Sequence, residues 1–416
     1  MRIDVIGRTV CLVTKDPSPF GPPQPPERQI LLSGRRKPWH LPKVPRLQRL
    51  TLTDFRNYAS LTWRPSASIS VFAGPNGTGK TNVLEAVSLL VPGRGLRGAR
   101  NADLPRLGGP GGWAVAGRFE TGDGEHDIGT GTAPDGPPDR RVFRLDGAAP
   151  RSQAEIAARI AAVWLTPQMD RLFLEGLSGR RRFLDRLVWA LEPGHAREMA
   201  AHDSAMGNRN RLLAEGRHDR AWLAGLEDAM ARHAVAATAA RSSLVARLNA
   251  ALANGVAGAF PAAHIALACP IAERLANGSA LAAEDWMRAT LEANRTRDAA
   301  ARSASMGAHR SDMALTDSVS GTPAALASTG EQKALLIGVI LGHAALIAET
   351  RGFPPILLLD EPAVHLDPAR RAELFGALIG LRAQTLITGT DPEVFAPLGA
   401  HAEMLRTGDG ALYPLS

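Results

Sequence analysis

A short apolar run, Ile69 to Ala73, leads directly into Gly74, Pro75, Asn76, Gly77, Thr78, Gly79, Lys80 and Thr81. Two glycines bracket four residues ahead of Lys and Thr, which is the spacing of a phosphate-binding P-loop. Gly74, Gly77 and Gly79 let successive backbone N–H groups curl around a triphosphate, and a helix starting at Lys80 aims its N-terminus at the anion. Lys80 can reach the β- and γ-phosphates, and the Thr81 hydroxyl can ligate Mg²⁺, so ATP and Mg²⁺ are the implied cofactors. The chain holds five lysines (Lys15, Lys37, Lys43, Lys80 and Lys333), and its other basic positions are arginine. A lysine kept at the motif position therefore stands out from the background.

The partners of such a loop lie far along the chain. Ile356 to Asp360 reads as a buried parallel strand with a carboxylate at its end, the form of a Walker B strand. Asp360 can hold Mg²⁺ directly or through water, and Glu361 beside it can orient the attacking water. The stretch around His365, Leu366 and Asp367 resembles the D-loop of the ATP-binding-cassette (ABC) superfamily, and Leu326–Lys333, with Ser328 and Gly330, resembles that superfamily's signature. The resemblance implies a head-to-tail pair of identical chains, each signature facing the γ-phosphate held by the other chain's P-loop. Gln168, between Trp164 and Asp170, sits where a Q-loop glutamine can sense the metal or where an ordinary loop amide can stand. After the expected strand at Leu386 and Ile387, transporters place a histidine. This chain has Thr388, Gly389, Thr390 and Asp391, so the γ-phosphate sensor is a hydroxyl or Asp391, or is missing, which points to slow turnover.

These residues need a scaffold to bring them together. A strand over Leu47–Leu52 pairs with Leu61–Trp63, and three β-like runs, Trp113–Glu120, His126–Thr132 and Arg141–Leu145, suggest an antiparallel sheet beside the nucleotide core. The pattern is helical from Ser152 to about Ala253 and again over Ala282–Ala301. Glu331–Thr350 reads as a long apolar helix, and Ala383–Thr388 as a last strand before a short ending. The expected fold is α/β: a split P-loop ATPase head with a mixed sheet and antiparallel subdomain, interrupted by an α-helical arm. The expected divisions are 1–45, a disordered Pro-rich basic tail; 46–175, the first head half; 176–305, the arm; and 306–416, the second head half.

Composition narrows the class. The 416 residues carry a formal charge of +7, but residues 1–45 account for +5 of it, so a polyanion surface on the body has to be a local patch. Arg94, Arg97 and Arg100 in a glycine-rich loop, and Arg180, Arg181 and Arg182 opening a helix, are the candidate phosphate contacts for DNA; each cluster can equally be a solvated face. Cys11 and Cys269 make no disulfide framework, and no apolar run reads as long enough to span a bilayer, so a cytoplasmic protein without a membrane partner is expected.

Set in order, the segments Leu52–Tyr58, Gly74–Thr81, Pro92–Arg97, Trp164–Phe173, Arg180–Arg186, Gly307–Asp312, Ser328–Lys333, Asp360–Asp367 and Thr388–Asp391 resemble the RecF family of bacterial DNA replication and repair proteins, from about Arg46 to near the C-terminus. That resemblance implies an ATP-dependent DNA-binding homodimer with weak, DNA-stimulated ATPase activity. It also implies action at single-strand gaps with RecO and RecR, promoting RecA loading. Thr329 departs from the glycine common at that place in the superfamily. Residues 152–305 are too short for the coiled coil of a Rad50- or SMC-type protein. A transport ATPase subunit is disfavoured by the missing histidine, and an ATP-gated nuclease by the few residues after Thr388.

Overall fold

The computed structural model describes residues 44–133, 140–174, 176–216 and 219–415; the tail expected over residues 1–45 lies outside them except for its last two residues. Strands β1 (Arg46–Phe55) and β2 (Tyr58–Trp63) form a hairpin whose turn places Asp54 and Arg56 at positive φ. After β3 (Ile69–Ala73), strands β4 (Ala114–Thr121), β5 (Gly124–Thr132) and β6 (Arg141–Leu145) complete an antiparallel sheet of order β2-β1-β4-β5-β6. Leu47, Leu50 and Leu52 are all buried although the first step is three residues. A register shift between Leu47 and Arg49 against β4 supplies the extra residue, as a β-bulge does.

The second sheet has the order β13-β12-β3-β11-β10-β7. It comprises β7 (Ala162–Leu165), β10 (Ile356–Leu359), β11 (Thr385–Gly389), β12 (Ala402–Gly408) and β13 (Ala411–Pro414), with β3 inside and every pairing parallel except β12 with β13. Every residue of β3, β7, β10 and β11 is buried, as strands covered on both faces require. Helix α1 (Lys80–Leu90) packs against β1, β4 and β5 on one side and β10 and β11 on the other, so it joins the two sheets.

Two parts of this sheet differ from the sequence reading. The stretch read as helical from Ser152 holds only a short helix, α2 (Gln153–Ala157), before strand β7. The short C-terminal ending contains β12 and β13, and β12 lies directly beside β3.

The remaining chain is mainly helical: α3 (Leu177–Leu191), α4 (His195–Ala214), α5 (Arg220–Ala253), α6 (Pro270–Ala276), α7 (Ala280–Ala293) and α8 (Arg295–Ala301). The buried Arg209 guanidinium donates to Glu227 and Asp298, pinning α4 to α5 and α8. Strand β8 (Ala263–Ala268) pairs with β9 (Asp312–Asp317), so the expected boundary at 305/306 is crossed by a two-stranded sheet. Helix α9 (Thr329–Arg351) is long and apolar enough to cross a membrane, against the expectation, yet it is mostly buried against β7, α3 and α5. Helix α10 (Pro368–Gly380) follows β10. The carboxyl ends of β3, β7, β10 and β11 lie side by side, which is where open α/β sheets bind ligands.

Candidate nucleotide-binding site

The P-loop leaves β3 at Gly74 and closes at Gly79, whose φ of 102° belongs to the left-handed region. A Cβ at Gly79 would also lie 2.4 Å from Asn57 Nδ2, so glycine is required there twice over. Asn57 donates to the Thr78 carbonyl at 3.2 Å and the Tyr58 hydroxyl to the Gly79 carbonyl at 3.1 Å. The β1–β2 turn thereby grips the loop from behind, and burial pushes the Tyr58 phenol up so that it stays a donor. Thr78 bonds the Pro75 carbonyl at 2.9 Å and the Thr407 hydroxyl at 2.6 Å, tying the loop to β12. No side chain caps α1, which leaves its N-terminus open to an anion.

Lys80 is buried; its Nζ donates to the Gly74 and Pro75 carbonyls at 2.5 and 3.3 Å, and lies 3.4 Å from Glu361 Oε1. The Thr81 hydroxyl donates to Asp360 Oδ1 at 2.8 Å, and Thr388 donates to the same oxygen at 2.7 Å. Thr388 also accepts the Glu361 N–H at 2.9 Å. Glu361 has φ 51°, a costly left-handed turn for a residue with a Cβ, and its carboxylate faces Lys80. Lys80, Thr81, Asp360 and Glu361, together with Asn76, Gly77, Gly79, Asn82, Arg97 and Pro167, enclose a cleft of about 280 Å³. A basic amine, a hydroxyl and a buried carboxylate converge at one helix N-terminus, which fits a metal-bound phosphate chain. Thr81 and Asp360 would hold Mg²⁺ through hard oxygen donors, and the ion would supply charge neutralisation across the phosphate oxygens.

The signature residues stand elsewhere. Ser328 caps α9 in a reciprocal pair with Glu331, and Asp367 caps α10 through the Arg370 N–H at 2.8 Å. Arg370 also reaches the Gly330 carbonyl at 3.4 Å, linking the two helix starts. Neither Ser328, Gly330 nor Asp367 lines the Lys80 cleft. Gln168 sits exposed on a 3-10 turn, Pro167–Arg171, whose first residue does line it. Asp391 accepts the Glu393 N–H at 2.9 Å as a local cap, so of the two sensor alternatives Thr388 is the one placed at the acids.

No family model matches the chain. The DNA replication and repair protein RecF of Mesorhizobium japonicum is 45% identical over 377 residues, covering 90% of this chain and 99% of that protein. The RecF protein of Allorhizobium ampelinum is 45% identical over 368 residues, covering 88% and 98%. The chain belongs to the RecF family. Among solved structures, the recombination mediator protein RecF-ATPrS in the RecFOR pathway superposes with a TM-score of 0.78 at 21% identity, covering 91% of this chain and all of that one. An Smc head domain from Pyrococcus furiosus, bound to the C-terminal domain of ScpA, gives 0.50 at 15%, covering 89% and 96%. The fold is thus that of the ABC-type ATPase heads shared by RecF and SMC proteins.

The arginines read from the sequence as DNA contacts of this RecF-family chain separate into different roles. Arg97 lines the Lys80 cleft and donates to Asn82 at 2.7 Å and Glu85 at 3.2 Å. Glu85 is buried and also takes a two-pronged bond from Arg56, so Arg97 is drawn toward the nucleotide side by its counter-ion. Arg180 forks onto Asp312 at 2.7 and 3.0 Å and Arg181 reaches the Ser311 carbonyl, which makes both part of the corner joining α3 to β9. The hydrogen bonds described for these three arginines all go to the protein's own groups. Arg94 and Arg182 are exposed, and Arg100 is exposed in an ion pair with Asp103. Sequence reasoning missed Asn57, Thr388 as a support of both acids, and Lys333. Lys333 is buried in α9, donates to the Glu361 carbonyl at 2.9 Å and pairs with Asp170 at 3.2 Å.

Proposed function

We propose that this chain is an ATP-dependent DNA-binding protein of recombinational repair and replication restart, and a weak, DNA-stimulated ATPase. ATP and Mg²⁺ join two chains head to tail. The dimer binds DNA at single-strand gaps and, with RecO and RecR, promotes RecA loading; slow hydrolysis by way of Glu361 releases it. Head halves 46–175 and 306–416 carry the site, the arm 176–305 projects from them, and the protein works in the cytoplasm.

The observation that carries the reading is the separation within one chain. Lys80, Thr81, Asp360 and Glu361 converge on one cleft, while Ser328, Gly330 and Asp367 lie at helix starts outside it. A second copy placing its signature over the phosphates completes such a site, and a ligand shared by two chains stabilises the pair by mass action. Leu326 and Val364, exposed just ahead of those helix starts in the chain, support a covered face there.

The test is molecular mass in solution, with and without ATP and Mg²⁺. Wild type should dimerise, Glu361→Gln should lock the dimer, and Lys80→Ala should stay monomeric, with affinity for a gapped duplex rising alongside dimerisation. A chain that stays monomeric in ATP and ignores DNA would sink the reading.

A further inference from the structure

A second cleft, of about 580 Å³, opens between the loop after α1, strand β6 and helix α3. Arg94, Arg100, Arg141, Asn101, Phe143 and Trp189 are among its walls, and no carboxylate of the described residues lines it. Arg141 is the unusual member. Among the described residues its guanidinium donates only to neutral oxygens: the carbonyls of Leu89, Val91 and Gly93, and the Thr130 hydroxyl. It stacks 4.3 Å from the Phe143 ring centre, and burial brings its pKa down to about 10. A desolvated cation with no carboxylate partner among the described residues, at the wall of a cleft, favours an anionic occupant.

We propose that this cleft is a subsite for one nucleotide of single-stranded DNA, with phosphate at the Arg94 and Arg100 rim and the unstacked base against Trp189 and Phe143. The inference rests on the reading of the chain as a DNA-binding protein and names where and in what form a strand enters. A duplex keeps its bases stacked inside and brings only phosphates to the rim, whereas a single strand offers a π-face to the rings as well. Gly93, at φ 122°, lets the loop lie flat on the indole, since a Cβ there would stand 3.3 Å from the Trp189 ring. Arg100 can leave its exposed partner Asp103 at small cost. The same Arg141 holds the last carbonyls of α1, whose first residue is Lys80, so an occupant is one helix away from the ATP cleft.

The experiment compares wild type with Arg94→Gln/Arg100→Gln on a short oligothymidylate and on a blunt duplex across salt concentrations. Single-strand affinity should fall about tenfold at low salt, by a larger factor than duplex affinity. The slope of log K against log salt should flatten by about 1.4, from two contacts at about 0.7 each. A strand of abasic residues should bind wild type about fivefold or more weakly than oligothymidylate, and that difference should vanish in Trp189→Leu. Equal losses on both DNAs, or equal binding of the abasic strand by wild type, overturn the subsite. Loss of thymidine monophosphate binding in the double variant with oligothymidylate binding intact also overturns it, in favour of a free nucleotide. A wild type that binds neither DNA fails the broader reading first.

Discussion

Thr388 donates its buried hydroxyl to Asp360 Oδ1 at 2.7 Å. The Thr388 Oγ1 itself accepts the Glu361 N–H, so one side chain of β11 sets the direction of both acids at the end of β10. The arrangement orients the Asp360 carboxylate and holds the strained Glu361 backbone in place.

Thr388→Val keeps the volume and removes both hydrogen bonds, leaving a buried carboxylate oxygen with one donor fewer, a loss of about 1–3 kcal/mol. ATP hydrolysis should fall about tenfold or more, with nucleotide affinity changed much less, and Thr388→Ser should restore most of the rate. Measured turnover beside an independent ATP titration decides it. Unchanged turnover in the valine variant would remove Thr388 from the site.

Arg97 lines the cleft that holds Lys80. Arg97→Gln should weaken ATP binding about tenfold while leaving the salt slope of DNA binding as in wild type, because a phosphate contact to DNA would flatten that slope by about 0.7–0.9. Fluorescent-nucleotide titration and DNA titration at two salt concentrations separate the roles. A flattened slope with unchanged ATP affinity would return Arg97 to the DNA surface.

The contrast between Arg97 and Lys80 shows what the sequence made readable. Lys80, Thr81 and Asp360 announce themselves because each belongs to a short string whose chemistry is local: a glycine loop before a helix, and an apolar strand ending in acids. The strands around them were read for the same reason, since β10 is a continuous apolar run and β3 is apolar but for Ser70, each bounded by turns. Arg97 bonds Glu85, which lies on the preceding helix and is itself held by Arg56 from the β1–β2 turn. Nothing within its own loop carries that information. Strand β7 has only four residues, Ala162–Leu165, too few to show a period, and its identity comes from lying beside β10. Likewise β12 is only partly buried and becomes a strand by pairing with β3. Gln168 and the signature residues show the other limit: their strings are legible, but within this chain Gln168 is exposed and Ser328 and Asp367 serve as helix caps.

Lys333 and Asp170 form a buried pair that joins α9 to the turn after β7. Burial holds the lysine below and the carboxyl above their ordinary ranges, with each partner opposing the other's shift. Lys333→Ala leaves Asp170 with its charge uncompensated and should cost about 3–5 kcal/mol of stability. The double change Lys333→Met/Asp170→Leu should recover much of that loss in urea unfolding, yet turnover should stay low because the Glu361 carbonyl has lost its donor. A double variant as unstable as the single one would show that the loss does not come from the uncompensated Asp170 charge.

His343 lies wholly buried in α9, where its Nε2–H donates to the Leu187 carbonyl at 2.9 Å and desolvation pushes its pKa down to about 3. The folded chain therefore keeps the ring neutral, while the unfolded chain takes up a proton below about pH 6.5. Stability from this group is fully present above that pH and declines as pH falls toward 3, by about 1.4 kcal/mol per pH unit. His309, lowered to about 4 chiefly by burial, adds a second proton over the upper part of the same window. Urea midpoints between pH 7.5 and 5.5 should fall as pH falls, and His343→Gln, which keeps a donor but cannot titrate, should reduce the dependence by close to one proton. Parallel pH profiles for the two proteins would mean that the ring is already accessible to protons in the fold, against its burial between α9 and α3.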